Sequence, residues 1–256
     1  MQTPSLWLEA GRWRRAGRTA RLWWRDDDAA GPSPRLDRLL AISRETKVPL
    51  TLAVVPGGDM PALAARLADT AGVAVVQHGV DHQNRRAGSV AGEFPHDWTE
   101  SQVEAELRRG WRLIQGLPRA QRVFVPPWND IHPRLQAALR AGGYAAWSAN
   151  GALGGGAPAR ADVHLDLLRW RGGARFRGQG RLLAALAAEM RRRRRAGLWD
   201  APIGLLTHHL VHDEAAWGFL ADFLRWTSRR PEFAWVSLTH LVRENGERGF
   251  SPVRAC

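Results

Sequence analysis

Acidic and imidazole side chains directly follow several short apolar runs of this chain, at the points where β-strands are expected to end. The clusters are residues 25–28 (Arg-Asp-Asp-Asp), 78–82 (His-Gly-Val-Asp-His), 124–129 (Phe-Val-Pro-Pro-Trp-Asn) and 205–209 (Leu-Leu-Thr-His-His). An α/β enzyme whose strands all point one way collects its chemistry at one rim, the carboxyl ends of the strands. One carboxylate and two histidines can hold a zinc ion with a position left for water, while another carboxylate and a third histidine serve as base and acid. The sequence therefore predicts a metal-assisted hydrolase.

Each of the first two clusters also has a purely structural interpretation. The adjacent carboxylates Asp26, Asp27 and Asp28 repel one another, and by themselves they fit a helix cap or a solvated turn as well as a site. His78 and His82 have the i, i+4 spacing that brings two imidazoles to one ion on a helix or in a compact turn, although many such pairs bind nothing. Because both clusters follow strand-like runs, the metal site is the favoured interpretation.

The last two clusters could supply an oxyanion donor and an acid. Pro126 and Pro127 fix a rigid loop, so the next backbone N–H, that of Trp128, is a candidate donor to a developing oxyanion. The alternative is a simple strand terminator. His208 and His209 end a predicted strand, and because side chains alternate along a strand, only one of them can face the interior.

Apolar runs of strand length recur along the chain, with helical patterns between most of them. The predicted strands are 21–25, 50–55, 73–77, 122–125, 144–147, 163–167, 203–207 and 233–236, and the predicted helices are 34–44, 99–117, 133–141, 180–196 and 214–228. Thr99 and Gln102 form a capping-box pair at the start of the second helix. A glycine-rich loop, centred on residues 154–156, interrupts the rhythm. The alternation predicts an α/β fold with a mostly parallel sheet, and seven or eight such units suit a barrel.

The composition limits the class of protein. A chain of 256 residues, 45% of them hydrophobic, can bury one full core, and we expect a single domain over 1–256 with its core at about 20–242. No run of eighteen apolar residues is present, so we expect no membrane span, and charges interrupt the first 25 residues where a signal peptide would be apolar. The only cysteine is Cys256, which excludes an internal disulfide and a CxxC metal site. We therefore expect a cytoplasmic protein.

The formal net charge of +12 raises the alternative of an arginine-rich nucleic-acid binder. That alternative predicts a contiguous basic face and a steeply salt-dependent affinity for DNA or RNA. The charge is almost entirely arginine in a chain that is also rich in alanine and glycine, which indicates a compositional bias. The arginines at 191–195 end a predicted helix, where they point in every direction and fit a solvated helix end. We expect no nucleic-acid partner.

Taken in order, these motifs resemble those of the polysaccharide deacetylase family, the NodB-homology domain of carbohydrate esterase family 4. The family has a paired-aspartate motif, an H-x-x-x-H metal motif, an R-P-P motif and a late L-x-x-H motif. All but the arginine of R-P-P occur here in that order between Leu22 and His240, and residues 25–28 look like an R-x-D-D variant of the first motif. The resemblance implies a distorted (β/α) barrel of about seven parallel strands. It also implies hydrolysis of an N-acetyl or O-acetyl group on a sugar, an oligosaccharide or a related amide.

The resemblance also implies a divalent metal, usually zinc. Carried over by position, Asp28, His78 and His82 would be its ligands. Their spacing fits zinc, but cobalt, nickel or manganese could occupy the same site.

The acid–base residues are implied in the same way. Asp27 would be the general base, and His208 the general acid that protonates the departing amine. His209 is the alternative acid if the strand has the opposite phase. The Trp128 N–H would help the metal to hold the oxyanion.

Two family features are altered in this chain. The R-P-P arginine, which orients the base in the family, is replaced by Val125, and we predict that Arg25, two residues before Asp27 on the same strand face, supplies the charge instead. The family's aspartate–tryptophan element, which tunes the acid histidine, is best matched by Asp166 and Trp170. These departures support a competing hypothesis, a domain of the same fold that binds metal or carbohydrate without turnover.

Overall fold

The computed structural model describes residues 3–86, 88, 90–151 and 158–247, so the centre of the glycine-rich loop lies outside the described residues. The helices are α1 (Pro4–Arg15), α2 (Pro34–Thr46), α3 (Met60–Leu67), α4 (Glu100–Ile114), α5 (Leu135–Ala141), α6 (Gln179–Arg195), α7 (Glu214–Thr227) and α8 (Leu238–Glu247). The strands are β1 (Ala20–Ala29), β2 (Leu50–Val54), β3 (Val73–His78), β4 (Ala120–Val125), β5 (Ala146–Trp147), β6 (Ala159–Arg160), β7 (Val163–Asp166), β8 (Leu168–Arg169), β9 (Arg175–Phe176), β10 (Ile203–Thr207) and β11 (Phe233–Trp235).

The strands form a curled, parallel sheet in the order β6-β5-β4-β3-β2-β1-β10-β7, with β11 beside the first residues of β1. The short strands β8 and β9 make a separate antiparallel hairpin. The two margins of the sheet meet through a parallel bridge between Asn150 and Val163 and a hydrogen bond from the Val163 N–H to the Ala149 carbonyl. The predicted distorted (β/α) barrel is confirmed, and its strands bring their carboxyl ends to one rim.

Several helices begin at side-chain caps that satisfy backbone N–H groups of the first turn. These N-cap residues are Thr3, Ser33, Asp59, Thr99 and Asp213. The predicted capping box is present at α4, where Thr99 accepts from the Gln102 N–H and the Gln102 side chain accepts from the Thr99 N–H. None of the helices in the described ranges is long and apolar enough to cross a membrane.

Alternation along β1 sorts its side chains between the inside and the outside of the barrel. Trp23 belongs to the apolar cluster that fills the interior, whereas Leu22 and Trp24 pack with the helices outside the sheet. The interior is tight, because a Cβ on Gly204 of the neighbouring β10 would lie 2.6 Å from the indole nitrogen of Trp23. The same alternation places Arg25 on the inner side of β1, where the polar end of the barrel begins.

The sequence prediction missed three helices and ended β1 too early. Helices α1, α3 and α8 were not predicted, although Leu6, Ala10 and Trp13 form a buried stripe along α1 at helical spacing. The exposed Trp7 and Leu8, and the arginines at 12, 14 and 15, hide the stripe in the sequence. Strand β1 continues to Ala29 through the three aspartates, which were expected to follow the strand.

The arginines at the end of α6 are not simply solvated, so that part of the sequence interpretation was wrong. Arg193 is fully buried and donates to the carbonyls of Ala201 and Pro202 just before β10. Arg194 forms an ion pair with Glu9 of α1, which is itself buried. Arg193 thus joins α6 to the segment before β10, and Arg194 joins α6 to α1.

Candidate active site

One carboxylate and two imidazoles converge at the rim of the sheet. Asp28 lies near the end of β1, His78 ends β3, and His82 lies in the loop that follows β3. The Nε2 atoms of His78 and His82 lie 3.1 Å and 3.3 Å from Oδ1 of Asp28. One ligand atom from each residue lies within 4.8 Å of the others. The three predicted ligands are therefore brought together, in a donor set that suits a divalent cation.

Asp28 reaches this position through an irregularity in β1. Simple alternation would place its side chain on the same side as that of Asp26, away from the interior. The register of β1 against β2 shifts between Asp26 and Ala29, and Asp28 has a φ of 73°. This left-handed backbone turns the carboxylate towards the two imidazoles.

The hydrogen bonding of His78 favours a cation at this position. Its Nδ1 lies 3.0 Å from the carbonyl oxygen of Val125, which can only accept, so Nδ1 carries a hydrogen, and in the neutral imidazole Nε2 presents its lone pair to a metal ion. Two imidazole nitrogens that face one carboxylate oxygen are best satisfied by a positive charge between them. The donor set and its orientation therefore fit a metal ion.

The electrostatics of the three groups agree with this interpretation. Burial raises the pKa of Asp28, but the hydrogen bond from His78 and the nearby imidazole charges outweigh it and hold that pKa well below its usual range. Burial lowers the pKa of His78, but the negative charges of Asp27 and Asp28 outweigh burial, so that this pKa is raised overall. Burial and the neighbouring His78 lower the pKa of His82. A positive charge is thus favoured at the point where the three groups meet.

Asp27 faces the interior and is held by Arg25. The Nε atom of Arg25 lies 2.8 Å from one Asp27 oxygen, and Nη2 donates to the other at 2.9 Å. Both side chains are almost completely buried. Nη2 also donates to Asn129, and Nη1 donates to the carbonyl and hydroxyl oxygens of Ser148. Arg25 therefore lies beside Asp27, as the sequence predicts, while Val125 takes the position of the arginine in the R-P-P motif.

His208 is a further neighbour of Asp27. Its Nε2 is 3.9 Å from Oδ2 of Asp27, and its ring makes a T-shaped contact with the Trp170 ring, with 4.6 Å between ring centroids. The Trp170 Nε1–H donates to Oδ2 of Asp166 at 2.8 Å. Among the described contacts, Asp166 is therefore linked to His208 by way of the Trp170 ring. The other Asp166 oxygen accepts a hydrogen bond from the Leu168 N–H.

His209 points away from this group. It is fully buried, its Nδ1 is hydrogen-bonded to Oδ1 of Asp26, and its backbone N–H donates to the other Asp26 oxygen. That oxygen also accepts from the Thr207 hydroxyl. The phase of β10 therefore directs His208, and not His209, towards Asp27.

Trp128 stands at the edge of the site. Its ring is 41% exposed and lies 4.3 Å from the His82 ring, centroid to centroid. The hydrogen bonds of the 3₁₀ turn at Pro127–Asn129 come from the amides of Asn129 and Asp130, which donate to Pro126 and Pro127. The Trp128 N–H takes no part in these hydrogen bonds. An oxyanion donor must be available in this way.

Strained backbone is concentrated around these residues. Asp28, His82, Trp128 and Asn129 all have a positive φ, between 54° and 73°. Such conformations cost free energy for residues other than glycine, and they are typical of functional sites that the surrounding structure holds in place.

Glu93 is a site residue that sequence reasoning missed. Its buried carboxylate accepts the backbone N–H groups of Val80, Asp81 and His82, at 2.8 to 3.0 Å. Burial and the neighbouring Asp81 side chain raise the pKa of Glu93 more than these backbone donors lower it. The sequence shows only one acid in a polar loop, because a side chain that bonds to backbone leaves no signature in the residues it holds.

Comparison with known proteins identifies the fold. Neither protein-family models nor curated proteins match the chain. A Mycobacterium smegmatis protein assigned to the polysaccharide deacetylases matches at a TM-score of 0.65 and 16% identity, over 94% of both chains. A family 4 carbohydrate esterase from Streptomyces lividans, in complex with acetate, matches at 0.51 and 17%, over 82% of this chain and 91% of that one. A family 4 acetyl xylan esterase from Clostridium thermocellum, with a cobalt ion, matches at 0.52 and 17%, over 88% and 92%. The chain therefore has the NodB-like fold of these proteins, as the motif resemblance predicted.

Proposed function

We propose that this protein is a metal-dependent deacetylase that hydrolyses an N-acetyl or O-acetyl group on a carbohydrate or related amide. One observation carries the proposal: Asp27, fixed by a buried arginine, lies beside His208 and next to the triad of Asp28, His78 and His82. A base, an acid and a candidate cation site are thus grouped at the rim. The shared fold with family 4 esterases, one of them in complex with acetate, supports the same chemistry.

The metal site suits zinc, and the cobalt ion in the Clostridium thermocellum esterase is consistent with a divalent ion here. Asp28, His78 and His82 would hold the ion. The chemistry supplied by such an ion is polarisation of the acetyl carbonyl and acidification of a water molecule.

The protein side chains supply the proton transfers. Asp27 accepts a proton from the attacking water as the water oxygen bonds to the acetyl carbon. The Trp128 N–H donates to the oxygen on which negative charge develops. His208 then donates a proton to the departing nitrogen or oxygen as its bond to the acetyl carbon breaks, and acetate is released. Trp170 and Asp166 position His208 through the ring contact.

We further propose that the substrate is an N-acetylated sugar or oligosaccharide. The exposed rings of Trp128 and Trp170 lie beside the candidate ligand His82 and the candidate acid His208. Aromatic faces at such positions can pack on the apolar face of a sugar ring. A cytoplasmic location and the absence of a nucleic-acid partner stay predictions.

The test is acetate release from a panel of N-acetylated and O-acetylated sugars, with metal content measured on the same samples. Asp27→Asn and Asp28→Ala are compared with the wild type before and after chelation. Asp222→Asn, on the exposed surface of α7, serves as the matched control. Release that needs the metal and both aspartates supports the proposal. Bound metal that disappears in Asp28→Ala, without release from any substrate, would favour the binding-only alternative.

A further inference from the structure

The loop that carries His82 is built around a carboxylate from a distant part of the same loop. Oε1 of Glu93 accepts the N–H groups of three consecutive residues, Val80, Asp81 and His82, at 2.8 to 2.9 Å. Successive backbone N–H groups that converge in this way form an anion-binding concavity. Here the protein fills the concavity with its own side chain, which is almost completely buried.

Gly79 makes room for this carboxylate. A Cβ at position 79 would lie 2.1 Å from Oε2 of Glu93 and 2.5 Å from the ring of Pro127. Gly79 also has a φ of 59°. The glycine between the two histidines is thus required by the close approach of Glu93 as well as by the turn.

A second close approach, at Gly92, holds Glu93 near the loop that carries His82. The Arg85 N–H donates to the Gly92 carbonyl, and the Gly92 N–H donates to the side chain of Asn84. A Cβ on Gly92 would lie 2.4 Å from a carboxylate oxygen of Asp130. Arg85, which is paired with Asp81, lies 4.0 Å from Oε1 of Glu93 and partly compensates its charge.

We propose that Glu93 is a positioning residue for the metal site, which fixes His82 in its ligating position. His82 needs such support because its φ of 55° is unfavourable for a residue with a side chain. Its backbone N–H is held by Glu93 at 2.9 Å, while its imidazole lies 3.3 Å from Asp28. The hydrogen bonds of Glu93 therefore maintain the strained turn that directs His82 towards Asp28. This inference rests on the metal site of the proposed function.

The test measures metal affinity rather than activity. Co²⁺ is titrated into the metal-free protein, and its dissociation constant and visible absorption spectrum are recorded for wild type, Glu93→Ala, Glu93→Gln and Glu93→Asp. We expect Glu93→Ala to bind Co²⁺ about 10- to 100-fold more weakly, the usual effect of losing a residue that orients a ligand. Glu45→Ala, an exposed acid on α2, is the matched control and should bind like the wild type.

The conservative variants separate position from charge. The amide oxygen of Glu93→Gln can take the place of Oε1 and accept the same three N–H groups, so this variant should bind Co²⁺ within about fivefold of the wild type. Glu93→Asp keeps the charge but is one methylene too short, so it should resemble Glu93→Ala. If Glu93→Ala does not fold, the proposal is tested by whether Glu93→Gln binds Co²⁺ more tightly than Glu93→Asp.

Two results would overturn the proposal in different ways. Wild-type affinity and an unchanged spectrum in a folded Glu93→Ala, or tight binding by Glu93→Asp with weak binding by Glu93→Gln, would show that Glu93 does not position His82 and would leave the proposed function intact. Absence of Co²⁺ binding by the wild type would remove the metal site itself, and with it both proposals.

Discussion

The three adjacent carboxylates of β1 each face a different partner. Asp26 points out of the barrel to His209, and Asp27 points inward to Arg25. The left-handed backbone of Asp28 directs its carboxylate to the two candidate histidine ligands. Their mutual repulsion is offset because every carboxylate has a hydrogen-bonding or cationic neighbour of its own. A sequence motif of three identical residues thus provides a structural contact, a candidate base and a candidate ligand.

At the residue scale, the first prediction concerns Arg25. Arg25→Lys keeps the positive charge but loses the guanidinium group that contacts both Asp27 oxygens, Asn129 and Ser148. We expect kcat to fall at least about tenfold, because Asp27 loses its fixed orientation. Steady-state kinetics over a range of pH check this, with metal content confirmed as unchanged. An unchanged kcat and pH profile in the folded variant would show that Arg25 does not orient the base.

The second prediction separates the two adjacent histidines. His208→Gln should lower kcat by about 10²- to 10⁴-fold, as expected for loss of a general acid, with little change in the free energy of unfolding. His209→Ala leaves the buried Asp26 without its imidazole partner and should cost about 3 kcal/mol or more of stability. His209→Asn, whose amide can still donate to Asp26, is the control and should keep most of the activity. Activity loss in folded His209→Asn as large as that in His208→Gln would contradict this assignment.

At the element scale, β1 shows why apolar patterning predicts the sheet but not all of its ends. The predictions for β2 and β10 agree with the structure to within one residue, because these strands are buried at every position and contain no charged residue. The predicted end of β1 at Arg25 was wrong because each aspartate that follows has a partner: Arg25 on the same strand for Asp27, and histidines from distant segments for Asp26 and Asp28. A charged residue resembles a strand end in the sequence until its partner is known.

The candidate site also contains some residues that the sequence predicts and others that it does not. The sequence points to the candidate ligand triad because His78 and His82 have a ligand spacing next to a predicted strand, and because the motif resemblance singles out Asp28. The choice between His208 and His209 required the phase of β10, which alternation alone does not give. Glu93 could not be predicted, since the backbone groups it accepts are the same in every residue.

The hairpin of β8 and β9 leads to the third prediction. Trp170 is 47% exposed, yet its ring contacts His208 and its Nε1–H donates to Asp166. Trp170→Phe keeps an aromatic ring without the donor, and Asp166→Ala removes the acceptor. Each should lower kcat roughly five- to tenfold. The double variant should be no worse than either single variant, because both substitutions break the same hydrogen bond between Trp170 and Asp166.

Kinetics of the two single variants and the double variant check this coupling. Trp7→Phe, at an exposed tryptophan of α1, is the control and should leave kcat unchanged. Additive losses in the double variant would mean that Asp166 and Trp170 act on His208 independently.

At the scale of the whole molecule, the large positive charge is partly used to join elements. Arg21 of β1 pairs with Glu244 of α8, and Arg38 of α2 pairs with Glu214 of α7. Together with the buried Arg193, these contacts show that arginine contributes to packing as well as to net charge. The pair of Arg38 and Glu214 is exposed, and an exposed ion pair adds little to the free energy of unfolding. Part of the arginine content therefore has a structural role, while the absence of a nucleic-acid partner stays a prediction.

The stability of the fold should depend on pH through His212. This side chain is buried, its Nε2 accepts the His208 N–H at 3.3 Å, and its ring packs against Trp217. Burial, with the nearby His208 and His209, lowers the pKa of His212 to about 4 despite the opposing charges of Asp26 and Asp213. The unfolded chain has the ordinary value of about 6.5. Between these two values the unfolded state binds the proton and the folded state does not.

Stability from this residue is therefore complete above about pH 6.5 and is lost as the pH falls towards 4, by about 3 kcal/mol in all. His212→Gln can still accept the His208 N–H but cannot titrate. It should be less stable than the wild type at pH 7.5, and the difference should shrink by about 2–3 kcal/mol at pH 4.5. Urea unfolding of both proteins at the two pH values, in the same metal-free buffer, isolates His212 because all other titrating groups are shared. A difference that stays constant with pH would show that the folded protein accommodates the imidazolium, contrary to the burial and contacts of this ring.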